Sequence, residues 1–254
     1  MAAADPIISI KGLVTRLGNR LIHDRVDLDV RRGEVIAIVG GSGSGKSVLL
    51  RSIVGLMRPA GGTVEVFGED VLNLEPGALR GIQKRWGVLF QEGALFSSQT
   101  VAENVQVPLR EYTKAPQALM NEITAVKLAM VGLGEDAARK YPSELSGGMK
   151  KRASLARALV LDPEIVFLDE PTAGLDPIAA NAFDELIRNL QQSLGLTVFM
   201  VTHDLDTLRS IADRVAVLVN KKLKVGTIAE VMRDQDPWIQ DYFSGPRGRA
   251  ALGS

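Results

Sequence analysis

Two short stretches of this chain carry residue types suited to phosphate chemistry. Gly40-Gly41-Ser42-Gly43-Ser44-Gly45-Lys46-Ser47 matches the pattern G-x-x-x-x-G-K-[ST] in full. Its glycines let successive backbone N–H groups converge on β- and γ-phosphates, and Lys46 supplies a point charge to the same oxygens. The Ser47 hydroxyl can ligate Mg2+. Phe167-Leu168-Asp169-Glu170 ends an apolar run on two carboxylates. Asp169 is placed to hold Mg2+, directly or through water, and Glu170 to polarise an attacking water. Such hydrolysis runs on positioning and charge stabilisation, so no nucleophilic side chain is needed. A third stretch between them, Leu145-Ser146-Gly147-Gly148-Met149, has no evident task inside a single chain.

These residues need strands and helices to hold them. Val35–Val39, Ile165–Leu168, Thr197–Val201 and Val215–Val219 are continuous apolar runs, as in strands buried on both faces of a parallel sheet. The strand at 34–39 feeds the phosphate loop, and a helix is expected from about Gly45 to Met57. Phe183, Leu186, Ile187, Leu190 and Leu194 recur at helical spacing, with Asp184 and Arg188 as an exposed i,i+4 pair. Strands alternating with helices imply an α/β core. The first sixty or so residues read as antiparallel strands, at Ile7–Ile10, Arg25–Val30 and Thr63–Phe67. From about Gly93 to Leu159 strand signals fade, and Val101–Tyr112 and Pro116–Val131 read as helices of an inserted subdomain. The expected division is an ATPase domain over 5–235, with its core at 5–92 and 160–235 and the helical insertion at 93–159. A tail follows over 236–254; it is expected to open with a helical turn at Pro237–Phe243 and to be mobile in its Gly/Pro/Arg-rich end.

Composition narrows the class. Lys plus Arg and Asp plus Glu each number 30 in 254 residues, and this balance speaks against a broad nucleic-acid-binding surface. There is no cysteine, hence no disulfide framework. No apolar run reaches membrane-spanning length, and Met1–Asp5 lacks the basic flank and apolar stretch of a secretory signal. The expectation is a soluble intracellular protein.

In combination the motifs resemble an ABC-type ATPase, a P-loop NTPase with an N-terminal antiparallel β subdomain and an inserted α-helical subdomain. Leu145–Met149 is similar to the family's signature, with Met149 in place of the usual glutamine, and 150–159 reads as the helix after it. The resemblance implies that Ser146 caps that helix and that the Gly147 and Gly148 amides face the γ-phosphate of an ATP held by a second copy. Two chains then sandwich two ATP molecules. Gln91 resembles the Q-loop glutamine that reaches Mg2+, Ala173–Asp176 the D-loop between subunits, and His203 the switch histidine on the γ-phosphate. His23 has no such context and is expected to be a surface or packing residue. The family commonly stacks adenine on an aromatic residue in the first hairpin. Here that stretch is Thr15-Arg16-Leu17-Gly18, with no aromatic, so Arg16 or Leu17 is expected to cover the base.

A finer resemblance is to the ATPase of the Mla/MCE phospholipid transport systems of Gram-negative envelopes. It rests on Phe90–Phe96, Val101–Asn104, Val107–Glu111, Asp176–Ile178 and Ser210–Asp213. Ala94, Leu95 and Phe96 are apolar in an otherwise polar loop, as a docking surface requires. What this implies is a homodimer, peripheral on the cytoplasmic side of the inner membrane. It would drive an integral membrane permease and, through it, a periplasmic MCE-domain protein that handles phospholipid, with a small STAS-domain protein as a further partner. In that family a C-terminal extension can embrace the neighbouring subunit, with Trp238, Tyr242 and Phe243 as candidate anchors. The alternatives are an importer ATPase for a polar solute and a soluble ABC protein of translation or DNA repair.

Overall fold

The computed structural model describes residues 5–245, so both the first four residues and the Gly/Pro/Arg-rich end of the tail lie outside the described residues. The elements run β1 (Ile8–Leu17), β2 (Arg20–Val30), β3 (Val35–Val39), α1 (Lys46–Ile53), β4 (Gly61–Val66), β5 (Glu69–Asp70) and α2 (Pro76–Gln83). Next come β6 (Trp86–Leu89), α3 (Val101–Tyr112), α4 (Gln117–Met130), α5 (Glu135–Ala138), α6 (Gly147–Leu159), β7 (Ile165–Asp169) and α7 (Pro177–Leu194). The chain closes with β8 (Thr197–Val201), α8 (Leu205–Ile211), β9 (Arg214–Val219), β10 (Lys222–Gly226), α9 (Ile228–Val231) and α10 (Pro237–Ser244). The described residues form two compact units, one of residues 5–82 with 197–245 and one of residues 83–196.

In the first unit an antiparallel sheet has the order β2-β1-β4-β5. A second set of strands places β3 between β8 and β9, parallel to both, with β10 added antiparallel on β9. Every residue of β3 and β8 is buried, which explains why those segments read as unbroken apolar runs. The short pair β5 and the edge strand β10 escaped the sequence reading. Lys222-Leu-Lys-Val alternates charged and apolar residues, and strand propensity is weak at such an edge. Helix α1 is a turn shorter than expected: Gly55 adopts a left-handed φ of 78°, and Leu56 N–H donates back to the Arg51 carbonyl at 2.8 Å.

In the second unit β6 and β7 pair in parallel, with Trp86 edge-on to Phe167 at 5.9 Å. Helices α3, α4 and α6 pack on one another. Helix α3 begins at a capping box between Thr100 and Glu103, and α7 at Asp176, which accepts from Ala179 N–H at 2.9 Å. Asp184 is not on an exposed face: it is only 3% exposed, because the buried stripe of α7 takes in Phe183, Asp184, Ile187, Leu190 and Gln191. The expected exposed pair with Arg188 is therefore corrected. Among the described residues no helix is long and apolar enough to cross a membrane.

Candidate functional site

The first unit builds the phosphate loop. Strand β3 delivers the chain at Val39, residues 40–45 turn, and α1 begins at Lys46. Gly45 occupies the position before the helix at φ 113°, and a side chain there would strike Ile22 and His23. A side chain at Gly40 would meet the Leu218 carbonyl and Ser44 Oγ. Glycine is thus enforced at both ends of the loop by neighbouring atoms as well as by backbone angle. Lys46 Nζ donates to the carbonyls of Gly40 at 2.8 Å and Gly41 at 3.2 Å, so the ammonium lies curled across the loop. Ser44 Oγ is buried without a protein partner. A glycine-built turn, a helix N-terminus, an ammonium and an unsatisfied hydroxyl make a donor set that fits a polyphosphate.

His23 lies directly beneath this loop. It is fully buried, faces Thr15 across the β1–β2 ladder, and its Nδ1 is 3.0 Å from Thr15 Oγ1. Burial pushes its pKa down to about 4, with the Gly45 backbone beside the ring opposing the shift. It is therefore a packing residue of the loop and not a surface one. The unfolded chain takes up a proton near pH 6.5 and the folded one only near 4, so between these values the unfolded state binds more protons. Stability is full above the upper value and is lost as pH falls through the window. Replacing His23 by phenylalanine should remove this slope. Urea unfolding at pH 7.5 and 5 should show wild type losing on the order of 2 kcal/mol more than His23→Phe. Equal losses would show that His23 does not set the acid sensitivity.

Arg16 and Leu17 lie at the tip of the same hairpin, both exposed, opposite Leu21 and Arg20 respectively. His203 stands, exposed, between β8 and α8; Thr202 Oγ1 accepts from Asp204 N–H at 3.1 Å, and Asp204 caps α8 by accepting from Asp206 N–H at 2.9 Å.

The second unit gathers the acidic pair and the signature stretch. Asp169 closes β7 at 3% exposure, and Glu170 follows at a left-handed φ of 50°. That backbone is strained for a non-glycine residue, and its carbonyl is held by Ala173 N–H at 3.2 Å and Lys151 Nζ at 2.9 Å. Lys151 also donates to the Gln91 carbonyl at 2.5 Å. Buried on α6, this lysine ties the helix after the signature to Gln91 and Glu170 together. Its pKa is lowered, chiefly by burial, against the opposing pull of the Glu170, Glu92 and Asp169 carboxylates. Sequence reasoning missed it, because a lysine in Met-Lys-Lys-Arg looks like part of a solvated charge run. Ser146 caps α6 by accepting from Met149 N–H at 3.2 Å, while Ser146 and Gly147 remain exposed. Leu175 of the next loop lies against Gly147.

The loop after Gln91 is equally constrained. Fully buried Asn104 accepts from Phe96 N–H at 2.7 Å and donates to the Phe96, Gln99 and Thr100 carbonyls. Arg157 donates to the carbonyls of Gly93 and Ala94. The result is a fixed loop that holds Phe96 52% exposed.

The model of the ABC transporter family matches residues 23–173, a span that runs from β2 through the phosphate loop and signature to the residues after Glu170. The chain belongs to the ABC transporter family. The cassette is similar to the probable ribonucleotide transport ATP-binding protein mkl of Mycobacterium leprae, 41% identical over 241 residues, 94% of this chain and 69% of that protein. It is also similar to the intermembrane phospholipid transport system ATP-binding protein MlaF of Haemophilus influenzae, 40% identical over 240 residues, 94% of this chain and 90% of that one. Among solved structures, the dimeric bacterial ABC transporter cassette MJ0796 matches with TM-score 0.80 at 30% identity, over 87% of this chain and 98% of that chain. The same MJ0796 cassette as a dimer in a post-hydrolysis state with ADP and Pi gives TM-score 0.79 at 29% identity, with the same coverage. The cassette is therefore an ATP-binding, ATP-hydrolysing transporter subunit. Its α/β fold, with an antiparallel β portion and a helical portion, is the one expected from the motifs.

Proposed function

We propose that this ATPase powers a phospholipid transporter by closing as a homodimer around two Mg-ATP. In each site Gly40–Ser47 of one copy binds the phosphates, and Ser146, Gly147 and Gly148 of the other face the γ-phosphate. Ser47, Gln91 and Asp169 are the ligands for Mg2+, a set of hard oxygen donors suited to that ion; the metal would offset charge on the phosphate oxygens. Glu170 is the base, His203 the γ-phosphate contact, and Arg16 or Leu17 the cover for adenine. The exposure of Ser146 and Gly147 at the start of a capped helix supports a role toward another chain.

The observation that carries the transporter reading is the Gly93–Phe96 loop. Two buried or half-buried polar side chains, Asn104 and Arg157, are devoted to presenting an aromatic residue to solvent, a costly arrangement without a partner surface. The occupant we propose is a cytoplasmic helix of an integral membrane permease, which places the cassette peripherally on the inner face of the membrane. A periplasmic MCE-domain protein and a STAS-domain protein complete the assembly. The 40% identity to a protein named for intermembrane phospholipid transport supports this reading. A polar cargo is the second reading, favoured by the mycobacterial relative named for ribonucleotide transport. Affinity purification of the full chain from its native membranes, with mass spectrometry of proteins and bound small molecules, separates the two. Permease, MCE-domain protein and co-purifying phospholipid are expected. A permease with a solute-binding protein and no enriched lipid would overturn the phospholipid assignment.

A further inference from the structure

Helix α10 sits on two loops of the first unit that bear on the γ-phosphate in the proposed function. It is anchored from behind by Ile239 and Phe243, both fully buried. Asp236 caps it by accepting from Trp238 N–H at 3.0 Å and accepts from Asn220 Nδ2 at 3.2 Å, which ties the helix start to the turn after β9. Trp238 and Tyr242, one turn apart, stack with ring centroids 4.8 Å apart at 15°, and Tyr242 is held edge-on by Phe243 at 5.0 Å. One end of this stack meets the phosphate loop: the Trp238 indole nitrogen is 3.4 Å from where a Gly41 side chain would begin. The other end meets His203, whose backbone carbonyl accepts from the Tyr242 hydroxyl at 2.9 Å.

A rigid aromatic pair therefore spans from Gly41 to the main chain of His203. His203 is exposed on the short connection between β8 and α8. We propose that α10 is a positioning clamp, with Trp238 and Tyr242 setting the place of His203 relative to the phosphate loop so that turnover, rather than ATP binding, depends on Tyr242. This inference rests on the assignment of His203 as the γ-phosphate contact. The phosphates are gripped by loop amides and Lys46, and removing the Tyr242 hydroxyl leaves the Trp238 contact with Gly41 in place, so affinity should survive its loss. Alignment of the γ-phosphate contact should not.

The test is steady-state ATP hydrolysis by the full chain as wild type, Tyr242→Phe, His203→Ala and the double variant. Tyr242→Phe keeps both ring contacts and removes the hydroxyl that donates to His203. It should lower kcat by about three- to tenfold, with KM for ATP and Tm unchanged, and should add nothing in the His203→Ala background. Wild-type kcat in Tyr242→Phe alongside slow His203→Ala would overturn the clamp alone. An equal drop in the His203→Ala background would likewise overturn it, because Tyr242 would then act by another route. Wild-type turnover in His203→Ala would remove the histidine assignment, and the clamp with it. A spectroscopic arm addresses the other end of the stack. Trp86 and Trp238 are the two tryptophans of the sequence, so Trp86→Phe leaves Trp238 as the reporter. Its emission should shift when Mg-ATP is added, and an unmoved spectrum at saturating nucleotide would count against the contact with the phosphate loop.

Discussion

Replacing Glu170 by glutamine should slow ATP hydrolysis by about two to three orders of magnitude while ATP still binds. The substitution is nearly isosteric, and Lys151 and Ala173 hold the residue by its carbonyl, which glutamine keeps. The strained backbone at φ 50° is thus kept, and what is lost is the carboxylate charge and with it the capacity to accept a proton from water. Because closure of the proposed dimer needs ATP and its reopening needs hydrolysis, the variant should also accumulate as a nucleotide-loaded two-chain species. Light scattering with Mg-ATP should register about twice the monomer mass for Glu170→Gln, and wild type should return to monomer as ATP is consumed. Turnover within a factor of about two of wild type would remove Glu170 from the role of base, and a loaded monomer would deny the composite site.

The legible part of this protein was what glycine spacing and buried apolar runs dictate. Gly40–Ser47 announced its conformation because a side chain at Gly45 collides with Ile22 and His23, so the pattern records a steric requirement. Strands β3 and β8 were legible because burial on both faces leaves almost every position apolar. Ser146 announced the start of α6 for a similarly local reason, since a cap needs only the N–H three residues on. What stayed hidden depends on long-range partners. Lys151 looks like any surface lysine until Gln91 and Glu170, 60 and 19 residues away, arrive at its ammonium. His23 carries no motif, and its meaning comes from burial against Gly45 of a loop that lies further along the chain. Asn104 and Arg157 shape the Gly93–Phe96 loop from two different helices, and no periodicity encodes that.

Lys46→Ala should abolish useful nucleotide binding, and it separates the two halves of the proposed chemistry. The ammonium is held over the loop by the Gly40 and Gly41 carbonyls, within reach of the oxygens that the loop amides would gather. Its removal deletes charge-assisted contacts to a highly charged ligand, each on the order of 1.5–3 kcal/mol, so affinity for ATP should fall by about a hundredfold or more. Lys46→Arg should not restore it, because the broad planar fork of a guanidinium cannot replace a compact ammonium in so tight a turn. Titration calorimetry is the direct check, with the thermal midpoint as a control that the loop still folds. The contrast with Glu170→Gln decides the matter: one variant should bind and not turn over, the other should not bind. If Lys46→Ala bound ATP as wild type does, phosphate recognition would have to lie outside the Gly40–Ser47 loop, and the assignment of every residue that depends on the γ-phosphate position would fail with it.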